Sequence, residues 1–405
     1  MKNKPLIPIF LIVFVDLLGF GLIIPLLPRY AESFGASDTV IGLLLASYSV
    51  MQLIGAPLLG RLSDRWGRKP LLLVSQLGTL AGFILLVVAH SLPLLFFSRM
   101  LDGFTGGNLS IAQAAIADVT AEKDRARAYG LIGAAFGLGF ILGPALGGVL
   151  SRWGYSAPAI AAAIISAVTI TLTLTLFPET HGSAVAAAAS PRSEFSLAAL
   201  RRALGNTQLL RLLGLGLIFN FAFAVFQTTF ALFSKDQFGF NAEQTGYALA
   251  YVGLLAVIAQ VVVLPRLVKR LGEPRTVLAG IGALGLGLLF VGLISHWPPL
   301  LGALVFTALG GAAVSPALQS LYTRSVSADE RGGVLGLAAS AESLARIGAP
   351  IWGGWVLGQL GAHAPALGAS IILLAALVYA AIIFRSSIHL PQPQSVTVLS
   401  RNVEL

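Results

Sequence analysis

Long apolar stretches of about 20 residues recur along this chain, the length a helix needs to cross a hydrocarbon core of about 30 Å. Twelve of them can be counted. Only 11% of the residues are charged, too few for the surface of a soluble chain of 405 residues. We therefore predict an all-α membrane protein with twelve transmembrane helices. Their approximate cores are 7–28, 40–60, 70–90, 93–117, 127–150, 157–177, 209–233, 245–265, 276–295, 299–320, 333–358 and 365–385.

The basic residues predict the orientation of the chain in the membrane. With both termini in the cytoplasm, 21 of the 26 Lys and Arg residues fall in cytoplasmic segments, and the opposite side holds Arg29, Arg152 and Lys235. This asymmetry follows the positive-inside rule and predicts a multi-pass protein of the plasma (inner) membrane. The net charge of +9 then faces anionic lipids, so no nucleic-acid partner is expected. The apolar run from Leu6 to Pro28 has no cleavage site, so we interpret it as a retained first span.

The two halves of the chain repeat one another. Phe34-Gly35 matches Phe238-Gly239, and Gly143-Pro144 matches Ala349-Pro350. Between the halves, an Ala/Ser-rich stretch predicts a flexible linker with a short amphipathic segment on the cytoplasmic surface. We therefore expect two pseudo-symmetric six-helix bundles, joined by this linker, as alternating access requires. The boundaries are 1–177 for the N-terminal bundle, 178–207 for the linker, and 208–405 for the C-terminal bundle with a short tail.

A dense charge cluster, Gly60-Arg61-Leu62-Ser63-Asp64-Arg65-Trp66-Gly67-Arg68-Lys69-Pro70, separates the second span from the third. Its pattern resembles the loop between helices 2 and 3 of the major facilitator superfamily. Arg99 with Gly103 resembles an Arg-x-x-x-Gly element of that family, and the glycines around Gly143-Pro144 resemble its antiporter motif. Asp16-Leu17-Leu18-Gly19 in the first span is similar to the tetracycline-resistance-like branch.

The resemblance covers nearly the whole chain and implies a secondary transporter without a cofactor. It implies a proton-coupled antiporter, monomeric as is usual in the family, that exports small amphipathic or cationic organic compounds (drugs) by alternating access. Its partners would be the organic substrate, protons and membrane lipids. One departure argues against tetracycline itself, because residues 276–295 of the ninth span contain no acid where tetracycline exporters carry one. A lipid or lysolipid flippase and a proton-coupled importer of a small metabolite stay open as alternatives.

Two other classes of protein are disfavoured. The five histidines stand singly in loops or the tail, without metal-ligand spacing, and no nucleotide motif is present, so the chain is not expected to be an enzyme. With no cysteine it has neither disulfides nor thiolate metal sites. A channel is disfavoured by the duplicated halves and by the lack of a filter-like repeat.

The resemblance also predicts two moving parts. We expect Asp64 to face the N-terminal end of the eleventh span, where a carboxylate is favoured, and Arg68 to pair with Asp118. The alternative is that these charges only set topology. The predicted conformational latch comprises Gly60, Asp64, Gly67, Arg68, Lys69 and Asp118. Small residues allow close helix packing, and the predicted seam between the bundles comprises Gly139, Gly143, Pro144, Gly147 and Gly148.

Five ionisable residues lie well inside the predicted spans. Charge at bilayer depth is costly and usually marks a transport pathway. Arg99 with Asp102, and Glu342 with Arg346, share helix faces at spacings of three and four, so Arg99 and Arg346 are the expected charge partners. Asp16 is our first candidate for proton exchange, followed by Asp102 and Glu342. The alternatives are that both pairs are self-neutralised locks and that Asp16 pairs with Arg99.

Polar and aromatic residues on the spans are candidates for the substrate cavity, which the resemblance places between helices 1, 2, 4, 7, 8, 10 and 11. An aromatic cavity with one carboxylate suits an amphipathic or cationic compound. The alternative for the phenylalanine is packing or lipid contact. The candidate binding residues are Gln52, Asn108, Gln113, Asn220, Phe223, Gln227 and Tyr251.

Overall fold

The structure, a computed structural model, describes residues 6–120, 122–180, 205–327 and 330–387. In these ranges the chain is almost entirely helical and contains no strand. It also contains a short 3₁₀ turn, Ser151–Trp153, and a π-helical turn, Ala259–Val263. The helices are α1 (Leu6–Ile23), α2 (Leu27–Glu32), α3 (Asp38–Trp66), α4 (Arg68–Val87), α5 (Leu92–Thr105), α6 (Asn108–Val119), α7 (Glu122–Leu150), α8 (Ser156–Leu176), α9 (Thr207–Phe238), α10 (Ala242–Ile258), α11 (Leu264–Leu293), α12 (Trp297–Arg324), α13 (Arg331–Leu360) and α14 (Ala364–Ser387).

These helices make twelve passes, which we number in chain order. Within the described ranges, 10 continuous helical segments are long and apolar enough to cross a membrane. The difference has two causes. Pass 4 is divided into α5 and α6, and α10 runs on through α11 until a turn at Gly272, with φ of 76°, separates passes 8 and 9. The predicted all-α fold with twelve spans is confirmed.

The turns of the two halves repeat at the level of single residues. Every described residue with a positive φ is a glycine, because side chains clash in that region of the backbone. The six such glycines form three matched pairs, each pair following equivalent passes. The pairs are Gly35 with Gly239, Gly67 with Gly272, and Gly154 with Gly361.

Each half has its own apolar core. One cluster of buried residues extends from Leu209 to Phe384, within the second half. The first half contains two clusters, one of which also includes Leu232 and Leu357 from the second half. The predicted linker falls largely on residues 181–204, which lie outside the described ranges, so its boundaries stay a prediction.

The halves meet along two antiparallel helix pairs, α3 with α13 and α7 with α10. A Cβ placed on Gly42 of α3 would collide with the backbone of Pro350 in α13. At the other end of the same helices, a Cβ on Gly60 or on Gly333 would meet nothing within 4 Å. Since the antiparallel register brings those two glycines near the same level, the two helices must diverge there.

The second helix pair diverges in the same direction. A Cβ on Gly148 of α7 would lie 3.0 Å from the Cα of Glu243 in α10, whereas Gly133 and Gly130 have open space around them. The halves are therefore in contact at one end and apart at the other. We call these the closed end, where α3 begins and α13 ends, and the basic end, which carries the cluster from Arg61 to Lys69.

Candidate functional site

Pass 4 breaks at Gly106-Gly107, and neighbouring helices bind the backbone groups that the break frees. The Ser75 hydroxyl of α4 donates to the carbonyl oxygen of Thr105 and accepts from the backbone N–H of Gly107 at 3.1 Å. Gln52 Nε2 of α3 donates to the Gly106 carbonyl at 3.4 Å. Unpaired backbone groups cost several kcal/mol at membrane depth, so a break needs such partners. The predicted span over 93–117 is present as pass 4, and apolarity alone does not reveal its paired-glycine break.

The break places Asn108 at the start of α6, where it meets Asp16 of α1. Asn108 Nδ2 donates to Asp16 Oδ1 at 2.9 Å. The Asn108 side chain is buried, while Asp16 is partly exposed. The amide partner is neutral, so the Asp16 carboxyl can gain or lose a proton without leaving a buried counter-ion unpaired.

Arg99 and Asp102 form a buried ion pair on α5, next to the break. Arg99 Nη1 lies 3.1 Å from Asp102 Oδ2, and each residue is 3% exposed. Arg99 Nη2 also donates to the Ser98 hydroxyl at 3.2 Å, and its guanidinium lies 5.7 Å from the centroid of the Phe83 ring. The pairing expected from the three-residue spacing is present, so Arg99 is engaged by Asp102 and not by Asp16.

The corresponding pair in the second half is far more exposed. Arg346 Nη1 lies 3.3 Å from Glu342 Oε1 on α13, with side chains 47% and 44% exposed. Charged groups at the middle of a membrane helix usually face the protein interior or a water-filled cavity. We therefore place this pair on the opening between the halves, where water screens its charges.

The predicted substrate residues are distributed unevenly. Gln52 and Asn108 both make hydrogen bonds at the break in pass 4, whereas Asn220 donates to a carbonyl of its own helix, that of Gly216, at 2.9 Å. Phe223 stacks on Phe219 with 6.1 Å between ring centroids. Of the remaining candidates, Gln113 and Gln227 are exposed and Tyr251 is half-buried.

Two residues at the break were missed by the sequence analysis. The Tyr48 hydroxyl of α3 accepts a hydrogen bond from Gln52 at 3.2 Å, and its ring lies 5.4 Å from that of Phe20. Ser75 holds both ends of the break, as described above. Each is a polar residue within an apolar span, and that contrast is the signal that could have identified them.

The predicted contact between Arg68 and Asp118 is present at the basic end. Arg68 is 1% exposed, and its Nε lies 2.8 Å from Asp118 Oδ2. Its Nη2 lies 2.6 Å from Asp64 Oδ1, and its Nη1 donates to the Ser63 hydroxyl at 2.6 Å. Gly67, with φ of 99°, makes the turn that positions this side chain. The role of these residues as a latch, and the expected approach of Asp64 to the start of α13, stay predictions.

A carboxylate from outside the predicted latch caps the first turn of α4. Glu179, which follows α8, accepts from the backbone N–H of Arg68 at 2.9 Å and from that of Lys69 at 3.1 Å. An anion is favoured at a helix N-terminus, where backbone N–H groups lack helical partners. The sequence analysis assigned Glu179 to the linker and missed this contact.

The glycine-rich helix α7 serves two interfaces instead of one. The face that carries Gly139, Gly143 and Gly147 packs on α1, within the first half. Pro144 and Gly148 occupy the neighbouring face, which packs on α10 of the second half. Residues four apart share one helix face, so the one-residue offset separates the two sets. The prediction that all five residues form the seam was therefore wrong for the three glycines.

Comparisons with known proteins agree with this architecture. A family model described as Major Facilitator Superfamily matches residues 9–273 and 237–402. The class H tetracycline resistance protein of Pasteurella multocida is 32% identical over 96% of each chain. The class C tetracycline resistance protein of Escherichia coli is 34% identical over 86% of this chain and 89% of its own. The crystal structure of the human organic anion transporter MFSD10 (TETRAN) superimposes with a TM-score of 0.70 and 26% identity, over 94% of this chain and 99% of that one.

Proposed function

The chain belongs to the major facilitator superfamily, and from this premise we propose that it is a proton-coupled antiporter that exports small amphipathic or cationic organic compounds. The observation that carries the proposal is the carboxyl group of Asp16, bound to a neutral amide beside a broken membrane helix. The similarity to proteins named for tetracycline resistance supports a drug as the substrate.

The arrangement of the halves supports alternating access. The seam is closed at one end and open at the basic end. Since cytoplasmic loops of membrane proteins carry an excess of Lys and Arg, we place the basic end in the cytoplasm and both termini with it. The structure then corresponds to an inward-facing state, in which a compound enters the opening between the halves from the cytoplasm.

Proton exchange fits Asp16 better than the two other candidate carboxylates. Asp102 is held by the buried guanidinium of Arg99, and neutralising it would leave that cation uncompensated. Glu342 is paired with Arg346 and exposed to the opening, where water solvates it. An antiporter needs a group that binds a proton and releases it when substrate arrives, and only Asp16 of the three changes charge without stranding a partner.

The substrate is best sought among lipophilic cations and neutral drugs. The opening between the halves presents the Glu342–Arg346 pair. At the break, Asp16 accepts a hydrogen bond from Asn108, and Gln52 contacts both Tyr48 and the Gly106 carbonyl. The apolar part of α11 after its turn contains no acidic residue beyond Glu273, which is paired with Arg324. A metal-chelated tetracycline would find no carboxylate there, so tetracycline belongs in the panel as a comparison compound.

Proton release from liposomes tests the proposal. Purified protein is reconstituted with an imposed pH gradient, compounds are added, and the lumenal pH is followed. We expect substrate-triggered proton efflux in the wild type and none in Asp16→Asn, with Glu342→Gln retaining efflux. Efflux in both wild type and Asp16→Asn would assign the proton to another carboxylate. A silent wild type, across the whole panel, would exclude drug antiport and leave a lipid substrate or uncoupled transport.

A further inference from the structure

Three basic residues lie on the side that the sequence assigns opposite the cytoplasm, and all three reach across the seam. Arg29 and Arg152 belong to the first half, and Lys235 belongs to the second. Each makes its ion pair or side-chain hydrogen bonds with residues of the other half. All three contacts therefore join the two halves at the closed end.

Arg29 makes the most buried of these contacts. Its side chain is carried by α2, the short helix beyond the break near Pro25 in pass 1, and Arg29 is 6% exposed. Arg29 Nη2 lies between the ends of α9 and α10. It donates to the carbonyl of Phe240 at 2.8 Å, the hydroxyl of Thr245 at 2.9 Å and the carbonyl of Ala231 at 3.4 Å.

The other two contacts flank Arg29 and are more exposed. Arg152, just after α7, makes a two-pronged contact with Glu243 at the start of α10, with Nε and Oε2 2.7 Å apart. Lys235, near the end of α9, pairs with Glu32 at the end of α2. Their exposure to water weakens both pairs relative to the buried hydrogen bonds of Arg29.

We propose that Arg29, Arg152 and Lys235 form the gate that seals the closed end, with Arg29 as its principal clamp. This inference rests on the proposed alternating access, because a transporter of that kind must open this end once in each cycle. Opening separates α9 and α10 from α2 and α7, and it therefore breaks all three contacts together. Arg29 is thus a positioning residue for transport, because it holds the two halves together at the closed end and does not itself contact the substrate.

The clamp is incompletely satisfied, as a reversible contact should be. Arg29 Nε is buried and makes no hydrogen bond with any described residue. A cavity of about 370 Å³ adjoins it, lined also by Arg152, Tyr155 and Glu243. A buried donor without an acceptor retains its desolvation penalty, so the closed gate is less stable than a fully paired one. The cavity gives the guanidinium room to withdraw.

Cysteine labelling tests the gate, since the natural chain has no cysteine. Ala242 of α10 is 8% exposed at the seam, beside Gly148 of α7. A membrane-impermeant maleimide is applied to the outer face of oriented vesicles containing Ala242→Cys, without substrate or pH gradient. We expect Arg29→Ala to accelerate labelling by about tenfold or more, as loss of charge-assisted hydrogen bonds implies. Arg152→Gln should have a smaller effect.

Matched variants keep the result interpretable. Arg266→Gln removes an arginine from the basic end and should leave labelling unchanged, and Thr245→Val removes one acceptor of Arg29 while keeping the cation. Thr245→Val should raise labelling less than Arg29→Ala. Unchanged labelling in both Arg29→Ala and Thr245→Val, or a rise in Arg266→Gln equal to that in Arg29→Ala, would overturn the proposal. The labelling uses no substrate and no proton gradient, so it does not depend on coupling. If Arg29→Ala speeds labelling but the wild type releases no protons in the liposome assay, the gate stands and only the proton-coupled function is rejected.

Discussion

Passes 1 and 4 of the first half are broken, whereas the equivalent passes of the second half, α9 and α12, are continuous. Each break delivers one polar side chain to a place that a straight helix would not reach. Beyond the first break lies Arg29 at the closed end, and beyond the second lies Asn108 at Asp16. The duplication therefore sets the arrangement of the helices, and the two breaks that depart from it position the polar side chains of Arg29 and Asn108.

The same contrast appears at the basic end. In the first half Arg68 begins α4 and pairs with Asp118 near the end of α6. In the second half Glu273, which follows the equivalent turn, pairs with Arg324 at the end of α12, 2.6 Å apart. The charges are inverted. Acid at a helix start and base at a helix end agree with the helix dipole, so the second-half pair is favourable and the first-half pair opposes both dipoles.

The largest expected effect comes from breaking the first-half pair. Arg68→Ala breaks the buried ion pair with Asp118, and breaking a buried pair costs about 3–5 kcal/mol. Arg324→Ala breaks the second-half pair. Because the Arg324 side chain is 67% exposed, this change should lower the free energy of unfolding by at most about 1 kcal/mol. The measurement is the apparent melting temperature of each purified variant in detergent.

Transport of the same variants sharpens this comparison. If the first-half pair, Arg68 with Asp118, is the moving latch, Arg68→Ala should also stop transport in liposomes, while Arg324→Ala retains it. Equal losses of stability in the two variants would mean that burial and dipole direction do not distinguish the pairs.

A smaller effect is expected from the broken pass. Ser75→Ala leaves the N–H of Gly107 and the carbonyl of Thr105 without their partner, at a cost of about 1–3 kcal/mol. Ser370→Ala in the second half is the matched control, because that buried hydroxyl donates only to the Gly285 carbonyl of a continuous helix. Thermal denaturation of both variants gives the comparison. A Ser370→Ala loss as large as that of Ser75→Ala would show that the break needs no special support.

The smallest expected effect concerns the first turn of the helix after each turn glycine. In the second half, the acidic residue at this turn is Glu273, which directly follows Gly272. In the first half, it is Glu179, which follows α8 and caps the first turn of α4. Glu179→Gln should lower stability by about 0.3–1 kcal/mol, since it removes the charge while keeping one acceptor. Melting in low and high salt checks this, because salt screens a charge at a helix end. A loss independent of salt would contradict a charge effect.

Much of the site geometry was readable from spacing. Residues three or four apart on one helix must share a face, so the Arg99–Asp102 and Glu342–Arg346 pairs were predicted correctly. The long-range contact between Arg68 and Asp118 was predicted through the family resemblance. The glycines of α7 show the limit, because the composition of a helix indicates close packing but not which neighbour it packs on.

The sequence by itself determined the twelve apolar spans, the duplication and the sidedness of charge, because bilayer thickness and the cost of buried charge act on each segment separately. The tertiary structure decided which charged side chains are buried and which are exposed to water. Glu342 and Asp102 look alike in sequence, yet one is 44% exposed in its side chain and the other is buried. The breaks, the gate partners of Arg29 and the cap from Glu179 also depend on helices distant along the chain, whose approach no local pattern specifies.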